Sequence, residues 1–170
     1  MRPKWLLVAA ALAALVAGII VSIRLNAPQN PPPTLPTLQI PDLQGKPHRL
    51  TEWRGKVLVV NFWATWCAPC RQEIPDLNKW QNEFGGKDLQ IVGIAVDKPD
   101  SVTEFIRDVP MDYPILIAEK TGLTLATLMG NILGVLPYTA IFDRSGKLVY
   151  GHPGILDAGT FDKRVKPLLH

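Results

Sequence analysis

Hydrophobic positions along this chain follow several patterns in turn, and each predicts a different element. Trp5 to Ile23 is 19 residues without a charge; seventeen are apolar, with Gly18 and Ser22 the exceptions. That length crosses the hydrocarbon core of a bilayer as a helix, and the segment lacks the polar face of a helix packed in a soluble core. Asn26 to Pro41 then carries six prolines in 16 residues, the composition of an extended, semi-rigid linker or of a disordered tail. From Leu38 the pattern alternates. Leu38-Gln39-Ile40, a turn near Gln44-Gly45-Lys46 and His48-Arg49-Leu50 predict a small hairpin, and Thr51 to Gly55 a short turn. Val57-Leu58-Val59-Val60 is apolar on both faces and β-branched, as in a buried strand. Arg71 to Phe84 places Ile74, Leu77 and Trp80 at helical spacing, with Pro75 expected to kink the helix.

Leu89 to Val96 predicts a second buried strand. Ser101-Val102-Thr103-Glu104 has the form of a capping box opening a helix that ends near Pro110. A strand over Tyr113 to Ala118 and a helix over Thr121 to Met129 follow. Tyr138 to Phe142 and Lys147 to Tyr150 pair as a hairpin across Asp143 to Gly146, and a helix over Thr160 to Leu169 closes the chain. The order is β(hairpin)-β-α-β-α-β-α-β-β-α. Strand–helix alternation ending in a hairpin predicts an α/β fold, a central mixed sheet with helices on both faces.

Charge separates the N-terminal segment from the rest. The net charge is +3 over 170 residues. Arg2, Lys4 and Arg24 supply three cations with no acid among the first 25 residues, which leaves 15 basic and 15 acidic residues beyond. The basic character therefore belongs to the apolar segment's flanks, and nothing reads as a nucleic-acid footprint. Arg2 and Lys4 before the span against Arg24 alone after it put the N-terminus in the cytoplasm by the positive-inside rule. The expectation is a single-pass anchor over residues 1–25 in a bacterial cytoplasmic membrane, a linker over 26–41, and a domain over 35–170 on the periplasmic side. A cleaved signal peptide is the alternative. Its apolar region is usually shorter, and the nearest cleavage-like site, Leu25-Asn26-Ala27, is followed directly by Pro28.

Both cysteines of the chain fall in one motif, Cys67-Ala68-Pro69-Cys70, where the apolar strand hands over to the helix. Free backbone N–H groups and the positive end of a helix dipole stabilise a thiolate there, and the thiolate is the species that attacks disulfides. Cys67, leading the helix, is the expected nucleophile. Cys70, one turn further in, is the expected resolving thiol, and Pro69 sits where a missing N–H costs little. Zinc would need two more ligands, but no other Cys is present and His48, His152 and His170 are scattered. Covalent haem needs His where Arg71 stands, and an iron–sulfur cluster lacks cysteines. A purely structural disulfide closing so small a loop stabilises little. No metal and no cofactor is expected.

The run Val60-Asn61-Phe62-Trp63-Ala64-Thr65-Trp66-Cys67-Ala68-Pro69-Cys70-Arg71 resembles thioredoxin-like proteins, and within them the membrane-anchored TlpA, ResA and CcmG (DsbE) branch. The resemblance covers Leu35 to Leu169. It implies a thioredoxin-like fold in which the 101–118 helix and strand form that branch's insert. It also implies that Pro137 is cis and faces the cysteine pair, leaving the backbone of Leu136 free to pair with an extended substrate. Glu73, three residues after Cys70 on the same helix face, is implied to tune the cysteines; a buried carboxylate there would have a raised pKa and could exchange protons with Cys70. Asn61 departs from thioredoxins proper, which carry an ionisable Asp at that position. Trp66 offers a flat apolar platform beside Cys67, and with Ala68, Pro69 and Leu136 makes up the expected substrate-contact set.

The resemblance implies a protein-disulfide reductase recharged by a transmembrane donor of the CcdA or DsbD kind, with apocytochrome c as substrate. Alternatives are a reductase of copper-site or general envelope thiols, a peroxiredoxin and a Cu(I)-binding module. The peroxiredoxin motif would need Pro at Val60 and Thr at Ala64, and no Met- or His-rich surface supports copper carriage. Nothing in the sequence points to an oligomer.

Overall fold

The structure is a computed structural model that describes residues 34–86 and 88–169, with Val16 the one described position before them. The chain divides into two units, residues 1–32 and 33–170. The anchor expected over 1–25 and most of the linker fall outside the described residues. Among the described residues no helix is long and apolar enough to cross a membrane.

The second unit is built around β3, Val57–Trp63, and β4, Leu89–Ala95, buried at every position. Strands covered on both faces read as unbroken apolar runs, which is why no alternation marks these two. They pair in parallel, Val59 against Ile91 and Asn61 against Gly93. β5, Ile115–Ile117, adds in parallel beside β4, while β6, Tyr138–Phe142, and β7, Leu148–Pro153, add antiparallel beyond β3. The five-stranded order is β5-β4-β3-β6-β7. The N-terminal hairpin, β1 (Gln39–Pro41) and β2 (Pro47–Arg49), forms its own two-stranded sheet.

Helices cover both faces of the large sheet, as the alternation predicts. Odd positions of β3, Val57 and Val59, pack under Leu77 and Trp80 of α1 (Ala68–Phe84) and Phe161 and Val165 at α4 (Ala158–Arg164). Even positions, Leu58, Val60 and Phe62, pack under Leu125 and Ala126 of α3 (Gly122–Leu128) and Ile40 of the hairpin. α2, Pro99–Asp108, sets Val102 and Phe105 against Trp63 and Ala95 at the C-terminal ends of β3 and β4.

Several boundaries move from their expected places. α2 starts at Pro99 rather than at a Ser101 capping box; its N-cap, Lys98, makes no side-chain cap bond. Proline presets the helical φ and has no N–H to leave unpaired at the first position, so the N-cap moves three residues back, from Ser101 to Lys98. The last helix opens at Asp157, whose Oδ1 accepts from Thr160 N at 2.7 Å, and ends at Arg164. Pro167 cannot donate into an α-helix, and Lys166–Leu168 tightens into a 3₁₀ turn. α1 runs as one element through Pro75. β7 reaches Pro153 instead of Tyr150, since an edge strand tolerates Gly and Pro with the N–H side free.

Candidate active site

The buried strand β3 ends at Trp63, and the loop after it is pinned twice. Thr65 donates its backbone N–H and its hydroxyl to Asp97 Oδ2, at 3.0 and 2.6 Å, and Val96 N donates to Trp63 O at 2.8 Å. The chain then turns into α1 with Cys67 as N-cap. Cys67 and Cys70 are joined as a disulfide, Cα atoms 5.3 Å apart. Cys67 Sγ accepts from Cys70 N at 3.3 Å, so the sulfur occupies the place a capping oxygen usually takes, where the helix N–H groups favour negative charge.

The two cysteine residues differ slightly in exposure, in the direction the spacing predicts. Cys67 retains 5% of its surface and Cys70 none. Around them the expected contact residues divide. Trp66 is 69% exposed, and Ala68 and Pro69 are exposed. Leu136 is half-buried against the cluster that holds Cys67 and Cys70. The Leu136–Pro137 peptide is cis, with Pro137 buried at the start of β6 and its carbonyl accepting from Gly154 N at 2.8 Å. The loop before β6 therefore reaches the cysteine pair through Leu136.

Glu73 lies one turn beyond Cys70 and is 1% exposed. Its Oε1 accepts from Asn61 Nδ2 at 2.7 Å and its Oε2 from the backbone N of Leu156 at 2.8 Å. Asn61 Nδ2 also donates to Thr139 Oγ1 at 3.1 Å. Burial pushes the Glu73 carboxyl up to about 7, against the opposing pull of the Leu156 and Asn61 bonds. A group poised there can take or release a proton near neutrality.

Of the residues expected at the site, the structure joins Cys67 to Cys70, sets Leu136 against them and buries Glu73 one turn beyond; the frame that holds them was not expected. Asn61 reads only as a departure until it is seen to grip Glu73. The period of two along β3 does place Asn61 on the α1 face with Val59; the matching register of Thr139 needs the sheet. Asp97 and the Leu156 N–H, both in loops, carried no sequence signal.

With this geometry in view, comparison with known proteins is decisive. The AhpC/TSA family profile matches residues 33–151. The chain belongs to the AhpC/TSA family. This family member is 34% identical over 116 residues to the thiol-disulfide oxidoreductase ResA of Geobacillus thermodenitrificans, a match covering 68% of this chain and 64% of that relative. It is 31% identical over 134 residues to the thioredoxin-like protein YneN of Bacillus subtilis, covering 76% of this chain and 75% of YneN. Its fold superposes with TM-score 0.69 on the crystal structure of a thiol:disulfide interchange protein of the thioredoxin family from Chlorobium tepidum, at 30% identity, covering 84% of this chain and 99% of that one. The mixed sheet with helices on both faces is thus the thioredoxin-like fold, with α2 and β5 added beside β4.

Proposed function

We propose that this protein is a thiol–disulfide oxidoreductase, tethered by its N-terminal segment to the outer side of a bacterial cytoplasmic membrane, that reduces disulfides in other proteins. The observation that carries the reductase direction is the Glu73 carboxyl, buried behind Cys70 and held by Asn61 and the Leu156 N–H. A carboxylate in that place opposes a second negative charge on the cysteines. It disfavours the thiolate form of the reduced pair, which therefore yields its electrons more readily to a partner.

The cycle starts from reduced cysteines. Cys67 thiolate attacks one sulfur of the partner's disulfide; a Cys67–partner bond forms and the other partner sulfur leaves as a thiolate. Cys70 passes its proton to Glu73, attacks Cys67 Sγ, closes the Cys67–Cys70 bond and releases the second partner sulfur. Two electrons have gone to the partner. A membrane dithiol donor of the CcdA or DsbD kind supplies two electrons and two protons to reopen the pair. Trp66, Ala68, Pro69 and Leu136 border the attacked sulfur, and the substrate favoured by the family resemblance is apocytochrome c, whose haem-binding cysteines must be reduced before ligation.

The test is the reduction potential of the full chain, read by tryptophan fluorescence during glutathione equilibration. A value near or below about −270 mV fits a reductase, and one near about −120 mV describes an oxidant and overturns this reading.

A further inference from the structure

Glu73 is not the only polar group enclosed between α1 and the sheet. Ile115, Gly93, Asn61, Thr139 and His152 stand side by side across the five strands. Registered neighbours point to one face, so Gly93 leaves a gap beside the residue that grips Glu73. Two rings come into it: a Cβ at Gly93 would lie 3.0 Å from Trp63 Nε1 and 3.2 Å from Tyr113 Cε2. Trp63 is two residues beyond Asn61 on the same face of β3. Tyr113 enters from the segment before β5 and packs in the cluster of Leu77, which follows Glu73 by one turn on α1.

Both side chains are buried, Trp63 fully and Tyr113 to within 5%. Among the described residues, neither Trp63 Nε1–H nor the Tyr113 hydroxyl finds a hydrogen-bond partner. Buried polar atoms are seldom left so, and enclosed sites with two to four polar partners are where structural water binds. Tyr113 also lines a cleft of about 230 Å³ between the hairpin and β5, with Asp42, His48 and Leu116. Burial first, and then negative charge on Glu73 and Asp112, pushes the Tyr113 hydroxyl up.

We propose that the Trp63 indole N–H, the Tyr113 hydroxyl and the Glu73 carboxyl together hold a water molecule, and that Tyr113 is thereby a positioning residue that sets where Glu73 titrates. The proposal rests on the reading of Glu73 as the group that exchanges the proton, and it is tested apart from it. The groups facing Glu73 are few. Cys70 shares its helix; Asn61, Gly93 and Thr139 of β3, β4 and β6 carry no charge; His152 lies beyond Thr139 on β7, its Nε2–H given to Ile155 O at 2.9 Å; the loop before α4 offers only the Leu156 N–H. The water donates to the ionised carboxylate and favours it. Tyrosine supplies both an acceptor and a donor to that water; phenylalanine supplies neither.

The experiment is a pH titration of the Glu73 side-chain carboxyl by carbon-13 NMR in the oxidised full chain, assigned against Glu73→Gln, for wild type and Tyr113→Phe. The expected result is a midpoint raised by about half a pH unit or more in Tyr113→Phe, a threefold or larger rise in proton affinity. The same spectra of wild type should show a cross-peak between Trp63 Hε1 and a long-lived water. An unmoved Glu73 midpoint overturns the proposal, and so does a Trp63 Hε1 without that water, which decides the matter even if Tyr113→Phe does not fold. Because no partner or electron transfer enters the measurement, a failed reductase reading leaves the result intact, and a failed water site leaves the reduction potential to be judged alone.

Discussion

Replacing Glu73 with Gln should make the oxidised protein more stable at alkaline pH and change it little in acid. The carboxyl has an ordinary value of 4.5 and is pushed up to about 7 in the fold, chiefly by burial. Each tenfold change in proton affinity is worth about 1.4 kcal/mol, so the ionised side chain costs the folded state about 3 kcal/mol. The sign follows from proton counts. Between pH 4.5 and 7 the folded protein holds a proton that the unfolded chain has lost, so stability falls as pH rises through that window. Below it Glu73 is neutral in both states and the contribution is fully present. Gln imitates the neutral form. Its Oε1 can accept from Leu156 N, and its amide can donate to Asn61 once the Asn61 amide turns its oxygen inward, leaving Thr139 Oγ1–H to reorient. The assay is urea unfolding of wild type and Glu73→Gln with the disulfide intact, at pH 4.5 and 8. From pH 4.5 to pH 8 the variant should gain up to about 3 kcal/mol on wild type, whatever constant offset the altered hydrogen bonds add at both pH values. A difference between variant and wild type that is the same at both pH values would refute the claim that burial holds this carboxyl near neutrality.

Three further outcomes are expected. Cys70→Ser should accumulate a mixed disulfide with its protein partner through Cys67, visible as a thiol-sensitive band on a nonreducing gel, while Cys67→Ser accumulates none. Asp97→Ala strips the acceptor from two donors of the loop before the cysteines and should cost about 1–3 kcal/mol in urea unfolding; an unchanged midpoint would mean that the loop needs no anchor. His48 bonds Asp42 Oδ2 through Nε2 and Glu52 Oε2 through Nδ1, each at 3.0 Å, and these bonds, that to Glu52 first, raise it above its usual 6.5. The stability it contributes is present below 6.5 and is lost as pH rises through its folded value, so its NMR titration should fall above 6.5 and move back toward that value in Glu52→Gln.

The fold was legible where one signal decided each element. Val57 to Val60 and Leu89 to Val96 are too short for helices and too apolar for loops, and the stripe Ile74, Leu77 and Trp80 has only one period. The errors lie where two local rules compete. At Pro99 a proline that suits the first helical position overrode the Ser101–Glu104 box. At Pro167 the missing donor ended an apolar period that by itself extends to Leu169. Gly151 to Pro153, beyond the expected strand end at Tyr150, continue an edge strand, because what decides is whether the N–H side meets another strand, and sequence does not show which strand is outermost.

The site divides along the same line. Cys67 and Cys70 are legible because their chemistry follows from spacing and from the strand–helix junction, both local. What is proposed to tune them is not local. Glu73 alone is a helical glutamate of the kind usually found in water; its acidity becomes a property of the site only because β3 sets Asn61 beneath it, β6 sets Thr139 beside Asn61, and the loop before α4 turns the Leu156 N–H inward. Asn61 itself has no ionisable group, yet it decides how much of the desolvation of Glu73 is offset. An Asn61→Leu variant would therefore drive the carboxyl still higher while leaving both cysteines in place. The proton-exchanging function proposed for one residue is thus distributed over a helix, two strands and a loop, and no motif in a single segment could have displayed it.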